Sequence, residues 1–300
     1  MSKGLLDPKV DFVFKNIFGS PNHPEILISF LNATLKAKKK IVNVDIKKTD
    51  IEKQYIEDKY SRLDVKATTS NDEIINIEIQ LKNENNMVKR SLYYLSKMYE
   101  EQLNEKEDYS KLVRTVCINI LNFKYLKTDN FHTGYRFKEI ESNEELTDIM
   151  EVHFIEIPKL QDSSDEKDML VAWTEFLKDP ESEKVRGLEL SIEEIRQAKD
   201  ELIRMSNDST QRELYDMRAN SLRDKMSELN AAERKGIEKG REEGREEGRK
   251  EGIEEGRKEG IEEGRKEEKI EIARNMKLSG IDTNTIAKIT NLSEDEIDKL

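Results

Sequence analysis

Three segments in the first third of the chain alternate apolar and polar residues, which is the pattern of strands that bury one face. These segments, residues 41–46, 63–67 and 75–81, are rich in β-branched side chains. The polar stretch TTSNDE joins the last two and predicts a β-hairpin. The apolar run 113–123 predicts a strand that is buried on both faces.

Helical spacing of apolar residues predicts helices over the segments 11–18, 24–35, 86–103, 165–177 and, in several pieces, 182–235. The third of these connects the hairpin to the buried strand, and such a crossover implies a mixed, partly parallel sheet. Residues 135–140 and 151–157 alternate again and predict edge strands. The chain is therefore predicted to be an α/β protein with a mixed sheet flanked by helices.

Composition adds a strongly solvated segment to this picture. Charged residues make up 39% of the chain, and residues 232–269 consist almost entirely of Glu, Lys, Arg, Gly and Ile. The net charge of −12 argues against a protein that coats nucleic acid without a defined site, because such proteins carry a basic excess. The sequence thus predicts a globular first part and a long charged helical tail.

Cysteine usage and hydropathy predict a cytoplasmic protein with no membrane partner. The single cysteine, Cys117, lies in the apolar run VCINIL and is expected in the core. The N-terminal residues lack a signal-like apolar segment, and no stretch approaches the ~18 apolar residues of a membrane span. The histidines, His23, His132 and His153, show no metal-ligand spacing, so no zinc site is expected.

Glycine recurs at every fourth residue from Gly236 to Gly264 in the charged tail. Each glycine costs a helix interior about 1 kcal/mol, and each ion pair between neighbouring turns returns only about 0.2–0.5 kcal/mol. Close approach of a second helix along the glycine row would offset the rest, which predicts homo-oligomerisation. A solvated single helix that acts as a spacer explains the pattern equally well.

Residues 270–300 predict a small module of three helices with helix-turn-helix spacing. Ser293 and Glu296 form a capping box that starts the last helix. That helix, EDEIDKL, is acidic and lacks the Arg, Asn or Gln side chains that read bases in a groove. The module is therefore expected to serve in packing or capping, with groove binding as the alternative.

The predicted hairpin carries the residues with candidate chemistry. Asp64 and Glu78 lie on its two strands and can face each other, while Gln80 and Lys82 share the strand face of Glu78. Two carboxylates of this kind can hold Mg²⁺ for phosphodiester cleavage, and Gln80 can orient the attacking water. The solvent-exposed face of an ordinary hairpin would show the same alternation, so the pattern by itself leaves both interpretations open.

An ordered set of motifs resembles one known family. The set comprises DFVFKNIFG, SRLDV, IEIQ, KRSLYYLSKMYEEQL and the glycine-repeat tail, and it spans nearly the whole chain. It is similar to the Rpn-type recombination-promoting nucleases, also described as PD-(D/E)XK family transposases. The resemblance implies a restriction-endonuclease-like core, Mg²⁺-dependent cleavage of DNA and a role in recombination.

The resemblance also assigns roles to individual residues. Asp64 and Glu78 would bind the metal, with Asp11 as an auxiliary acid. Gln80 stands where the wider superfamily most often has lysine, and Lys82 would supply the missing charge. Asp11 is explained equally well as an acidic residue that stabilises the start of its helix.

Phosphate contacts are expected from Lys15, Arg90 and Tyr94, because their helices should border the strand ends; ordinary helix-surface positions are the alternative. The implied domains are a nuclease-like domain (1–180), a helical extension (181–235), the glycine-repeat helix (236–269) and the terminal module (270–300). The function predicted is a metal-dependent endodeoxyribonuclease. A catalytically degenerate DNA-binding or assembly protein on the same fold is the competing interpretation.

Overall fold

The computed structural model describes residues 4–37, 39–47, 65–165 and 167–300, apart from the side chain at position 225. The chain forms two compact units, Met1–Met226 and Ser227–Leu300. The first contains the sheet and the second contains the glycine-repeat helix. No helix within the described ranges combines the length and the apolar character needed to span a membrane.

Six strands of the first unit form one mixed sheet. They are β1 (Val44–Lys47), β2 (Val65–Thr69), β3 (Ile74–Gln80), β4 (Thr115–Leu121), β5 (His132–Lys138) and β6 (Glu145–Glu156). Their order in the sheet is β1-β2-β3-β4-β6-β5. The pairs β3–β4 and β4–β6 are parallel and the other pairs are antiparallel, which confirms the predicted mixed sheet.

Nine α-helices are described: α1 (Asp11–Phe18), α2 (Pro24–Leu35), α3 (Met87–Glu100), α4 (Met169–Lys178), α5 (Glu183–Ser191), α6 (Glu193–Asn207), α7 (Ser209–Leu278), α8 (Thr283–Thr290) and α9 (Glu294–Asp298). Helix α4 starts later than predicted because Asp168 caps it, accepting a hydrogen bond of 2.8 Å from the backbone N–H of Leu170. The predicted α/β fold is confirmed.

The outer strands correct one prediction. Residues 151–157 were expected to form an edge strand, but β6 lies inside the sheet, between β4 and β5. Strand β5 is the edge, and its outer part is exposed at Tyr135 and Phe137. The long strand β6 is internal because its second half pairs with β4 on one side and with β5 on the other.

The main hydrophobic core lies on one face of the sheet. Phe14 and Phe18 of α1 stack with ring centres 4.6 Å apart, and Phe18 meets Trp173 of α4 edge to face at 5.3 Å. Helices α5 and α6, whose role the sequence left open, also contribute side chains to this core, including Val185 and Leu202. Burial of these side chains fixes the helices on that face of the sheet.

Helix α3 covers the opposite face of the sheet. A smaller apolar cluster forms there between Leu95 and Met98 of α3 and Cys117 and Phe154 of the strands. Cys117 is buried, as predicted, and burial raises the pKa of its thiol. A protonated buried thiol is unreactive, so this cysteine is a packing residue.

Candidate metal and phosphate site

Strand β3 alternates apolar and polar side chains, and helix α3 covers its polar face. Ile75, Ile77 and Ile79 belong to the main core, whereas Asn76 and Glu78 face α3 and are each only 1% exposed. The alternative that this is the solvent-exposed face of an ordinary hairpin is therefore wrong. A buried carboxylate is costly unless it is paired or binds a cation, so the partners of Glu78 decide what it can do.

The two oxygens of the Glu78 carboxylate differ in their contacts. The Nε of Arg90 donates a hydrogen bond of 3.2 Å to Oε2 of Glu78, and the guanidinium lies 5.4 Å from the ring centre of Tyr94. Oε1 of Glu78 is buried with no hydrogen-bond partner among the described residues. Burial raises the pKa of Glu78 to about 7, although Arg90 acts in the opposite direction. Glu78 thus ionises near neutral pH and has an oxygen available to a further ligand.

The amides around Glu78 differ in how well they are satisfied. Asn119, its neighbour on β4, donates a hydrogen bond of 3.0 Å to the carbonyl of His153 and accepts one of 2.8 Å from Ser91. By contrast, Oδ1 of Asn76 is buried without a partner in the described part of the chain. Two unpartnered oxygen atoms therefore lie on the α3 face of one short strand.

The two polar residues predicted after Glu78 have different positions. Gln80 is the last residue of β3, half-buried and on the same strand face as Glu78. Lys82 lies beyond the end of β3, where its Nζ donates a hydrogen bond of 3.4 Å to the carbonyl of Met226. The prediction that Lys82 shares the strand face of Glu78 is corrected, because the strand ends two residues earlier.

Asp11 and Lys15 lie apart from this cluster on helix α1. Asp11 is the first residue of α1, and its Oδ2 accepts a hydrogen bond of 2.9 Å from Arg218 of α7. Lys15 is half-buried one turn further on. No contact within the described ranges joins either residue to Glu78. Of the predicted site residues, the structure brings Glu78 together with two side chains of α3.

Asp64 precedes β2 and lies outside the described residues. Among those that are described, no group of three or more His, Cys, Asp or Glu side chains is arranged to hold a metal ion. The donor chemistry of Glu78 nevertheless fits a hard divalent cation, since its bare Oε1 is an anionic oxygen. Mg²⁺ is typically held by one or two carboxylates together with substrate oxygens.

A second polar cluster, which sequence reasoning missed, lies on the opposite face of the sheet. Nε2 of His132 is 2.9 Å from Nδ1 of His153, and Nε2 of His153 is 2.8 Å from Oε1 of Glu151. Arg114 and Arg136 both pair with Oε2 of the same carboxylate. We call these five residues the histidine–glutamate cluster.

Hydrogen bonding determines what this cluster can do. His153 donates from Nε2 to Glu151, so its Nδ1 accepts from Nε2 of His132, and both of its ring nitrogens are occupied. The hydrogen bonds from His153 and Arg114 outweigh burial and lower the pKa of Glu151 to about 2. Burial lowers the pKa of His132 to about 4, and the adjacent His153 acts in the same direction. The cluster is a hydrogen-bond network built around one ionised carboxylate.

In the second unit, the glycine row and the terminal module are both present. A Cβ added at any of the eight glycines from Gly236 to Gly264 would meet nothing within 4 Å. The end of α7 packs with α8 and α9 around the side chains of Ala273, Ile286, Leu292 and Ile297. The predicted capping box of Ser293 and Glu296 is confirmed.

Two family models match the chain. Residues 8–232 match a model described as PD-(D/E)XK nuclease family transposase. Residues 266–300 match the Rpn/YhgA-like nuclease family C-terminal HTH domain. No curated protein and no solved structure matches the chain.

The first match covers three quarters of the sequence, including α1, the hairpin of β2 and β3, and helix α3. The second covers the module formed by the end of α7, α8 and α9. Both agree with the resemblance found in the motifs, which is confirmed. The chain belongs to the PD-(D/E)XK nuclease family of transposases.

Proposed function

We propose that the protein is a divalent-metal-dependent DNA endonuclease that promotes recombination, with its metal held at Glu78. The observation that carries this proposal is the buried Glu78 carboxylate, which has one oxygen on Arg90 and the other without a partner among the described residues. A structural carboxylate in the same sheet, Glu151, is fully paired. Glu78 is therefore suited to receive a ligand that arrives from outside the fold.

Asp64 is proposed as the second metal-binding acid. The support for Asp64 is the alternation of the sequence, which predicts that Asp64 and Glu78 lie on the two strands of one hairpin and can face each other. Asp11 is proposed as an auxiliary acid at the start of α1. The bound Mg²⁺ would neutralise charge on the scissile phosphate and lower the pKa of the attacking water.

Other polar side chains are proposed to orient the attacking water or to contact the phosphate. Gln80, at the end of β3, is proposed to orient the attacking water, and Lys82 to add positive charge. Lys15, Arg90 and Tyr94 are proposed as phosphate contacts. A cation or hydroxyl placed near developing negative charge stabilises the transition state electrostatically.

A plasmid assay tests the proposed activity. Full-length protein is incubated with supercoiled plasmid in Mg²⁺ and, separately, in EDTA. The variants Asp64→Ala and Glu78→Gln are compared with Asp45→Ala, which removes an exposed carboxylate of β1. We expect nicking or linearisation that needs Mg²⁺, disappears in the first two variants and persists in the third. Cleavage retained by folded Asp64→Ala would overturn the assignment.

A catalytically degenerate DNA-binding protein is the second candidate. Its support is Gln80, which lies two residues after Glu78, is uncharged and therefore cannot act as a cation there. This candidate predicts metal-independent binding of duplex DNA with no cleavage under any condition in which the protein is folded. Anisotropy of a labelled duplex, measured beside the plasmid assay, distinguishes the two candidates.

Homo-oligomerisation through α7 is proposed as well. The eight glycines leave a groove in which no atom lies within 4 Å of an added Cβ. Each four-residue step turns the row by about 40°, so one straight partner helix would reach only a few consecutive glycines.

Sedimentation velocity of the full chain tests this contact. Gly244→Ala, Gly248→Ala and Gly252→Ala combined should lower the association constant, because added methyl groups separate the helices. Glu247→Ala, Glu251→Ala and Glu255→Ala combined are the control from another row of the same helix. A wild-type protein that sediments as a monomer at all concentrations would contradict the proposal.

The match of residues 266–300 to an HTH domain favours DNA binding by the terminal module, whereas its acidic helix α9 is proposed to pack against protein rather than to enter a groove. Helix α9 carries four carboxylates, those of Glu294, Asp295, Glu296 and Asp298. Phosphates repel such a surface. Binding of duplex DNA that is unchanged by Glu294→Gln and Asp295→Gln would agree with this role, and a large change in sequence preference would favour groove binding.

A further inference from the structure

Arg90 is attached to Glu78 by its inner nitrogen. The hydrogen bond to Oε2 of Glu78 comes from Nε, not from the terminal NH₂ groups. Tyr94, one turn further along α3, lies under the guanidinium at 5.4 Å from its ring centre. The hydrogen bond holds one edge of the guanidinium, and the Tyr94 ring lies against its face. Together the two contacts fix the plane of the group.

The terminal NH₂ groups of Arg90 remain available. No described residue accepts a hydrogen bond from them. The Arg90 side chain is 22% exposed, whereas that of Glu78 is 2% exposed. Arg90 therefore reaches from a buried carboxylate towards solvent, with the outward donors in the fork geometry that matches phosphate oxygens.

We propose that Glu78 anchors Arg90 through Nε, so that the terminal N–H groups of Arg90 bind a DNA phosphate while Oε1 of Glu78 is left for the cation. This inference rests on the proposed function and gives Arg90 two roles. Arg90 contacts phosphate directly, and it is also the positioning residue for Glu78. Arg90 thereby places positive charge next to Glu78, in addition to the charge proposed for Lys82.

Which nitrogen of Arg90 donates to Glu78 decides whether Glu78 anchors Arg90 for a phosphate or competes with the phosphate for it. Had Glu78 taken the two terminal nitrogens, a phosphate would have to displace it, and the pair would inhibit DNA binding. Because Glu78 takes Nε, both anions can be bound at once by one guanidinium, which has five N–H donors. Lysine cannot do this in the same geometry, since its ammonium is a single point charge.

Binding of a short fluorescein-labelled duplex to the full-length protein in EDTA tests this inference without metal or cleavage. Arg90→Gln should weaken binding by about tenfold, the loss of one charge-assisted hydrogen bond. Arg90→Lys should lose nearly as much, although it keeps the charge. Lys89→Gln removes one positive charge at the preceding position on α3 and is the control. It should weaken binding by less than about threefold.

A double-mutant cycle with Glu78→Leu gives the sign of the coupling. Leucine removes the acceptor at similar volume, so Arg90→Gln should cost less than about twofold in that background if Glu78 is the anchor. Circular dichroism and thermal melts establish that all variants are folded. If Arg90→Gln weakens binding as much in the Glu78→Leu background as in wild type, or more, Glu78 does not anchor Arg90 and the inference is overturned. Full affinity in Arg90→Lys would overturn it as well.

These outcomes are independent of the plasmid assay. A wild-type protein that cleaves DNA but shows no coupling between positions 78 and 90 would refute the shared role and leave the nuclease proposal standing. A protein that does not cleave but shows the coupling would refute the nuclease proposal and keep Arg90 as an anchored phosphate ligand.

Discussion

Two buried glutamates lie on opposite faces of the same sheet and differ in how completely they are paired. Glu151 accepts from His153 and pairs with Arg114 and Arg136, and its pKa falls to about 2. Glu78 has a hydrogen bond from Arg90 and an Oε1 without a partner among the described residues, and burial raises its pKa to about 7. Two carboxylates that are both inaccessible to solvent therefore have pKa values shifted in opposite directions.

The difference separates a structural carboxylate from a candidate functional one. A paired buried charge stabilises the arrangement around it, because removing one partner leaves the others uncompensated. An incompletely paired charge costs free energy in the isolated protein and is retained where a ligand completes it. This criterion supports the proposal that Glu78 binds a ligand, and it predicts that Glu151 stabilises the β5–β6 hairpin.

The largest expected effect is on catalysis at Glu78. Glu78→Gln should lower the rate of plasmid cleavage by about 10³-fold or more, because metal stabilisation of the transition state is worth several kcal/mol. The free energy of unfolding in urea should not fall, since a buried charge is removed. A variant that cleaves at the wild-type rate would place Glu78 with the structural carboxylates.

Glu151→Gln should show the reverse behaviour. It leaves the guanidinium groups of Arg114 and Arg136 without their shared carboxylate, so the free energy of unfolding should drop by about 3 kcal/mol. Cleavage by the folded fraction should persist. Urea titration checks stability, and unchanged stability would show that the histidine–glutamate cluster does not hold the hairpin.

The pH dependence of stability should contain two opposing contributions. His132 has a pKa of about 4 in the folded protein against 6.5 ordinarily, so the unfolded chain binds its proton more tightly and stability is lost as pH falls from 6.5 to 4. Glu78 has a pKa of about 7 against 4.5, so stability is lost as pH rises from 4.5 to 7. Each contribution is worth about 3 kcal/mol, and across the shared window they nearly cancel.

Single variants should reveal each contribution. Urea titrations between pH 4.5 and 7 should give a nearly flat profile for wild type, a rising profile for Glu78→Gln and a falling one for His132→Gln. Parallel profiles for all three proteins would show that neither buried group titrates as inferred.

The smallest expected effect concerns the packing of the histidine–glutamate cluster. A Cβ added at Gly134 would lie 3.1 Å from Cε1 of His153, so Gly134→Ala should destabilise the protein by about 1–2 kcal/mol. Gly187→Ala is the control for an uncrowded glycine: a Cβ there meets nothing within 4 Å, and its place inside α5 should make the change stabilising by up to about 1 kcal/mol. A Gly134→Ala variant that melts at the wild-type temperature would show that the His153 ring can move aside.

Local patterns in the sequence were sufficient for most elements. Alternation located β2 and β3, apolar periodicity located α1 to α4, and the polar turn between β2 and β3 predicted their hairpin. These features depend on residues that are near each other in the chain, so the sequence displays them directly. The position of β6 inside the sheet was missed, because pairing between distant strands leaves no local pattern.

The residues of the candidate site likewise fall into those that the sequence indicated and those that only the tertiary structure brought together. The sequence by itself determined that Glu78 and Gln80 share one strand face and that the chain resembles a nuclease family, since both are properties of short motifs. Only the tertiary structure decided that α3 covers this face, that Arg90 binds Glu78 by its inner nitrogen, and that His132 meets His153. Those contacts join residues from different elements, and they arise when helices and strands pack to bury apolar surface.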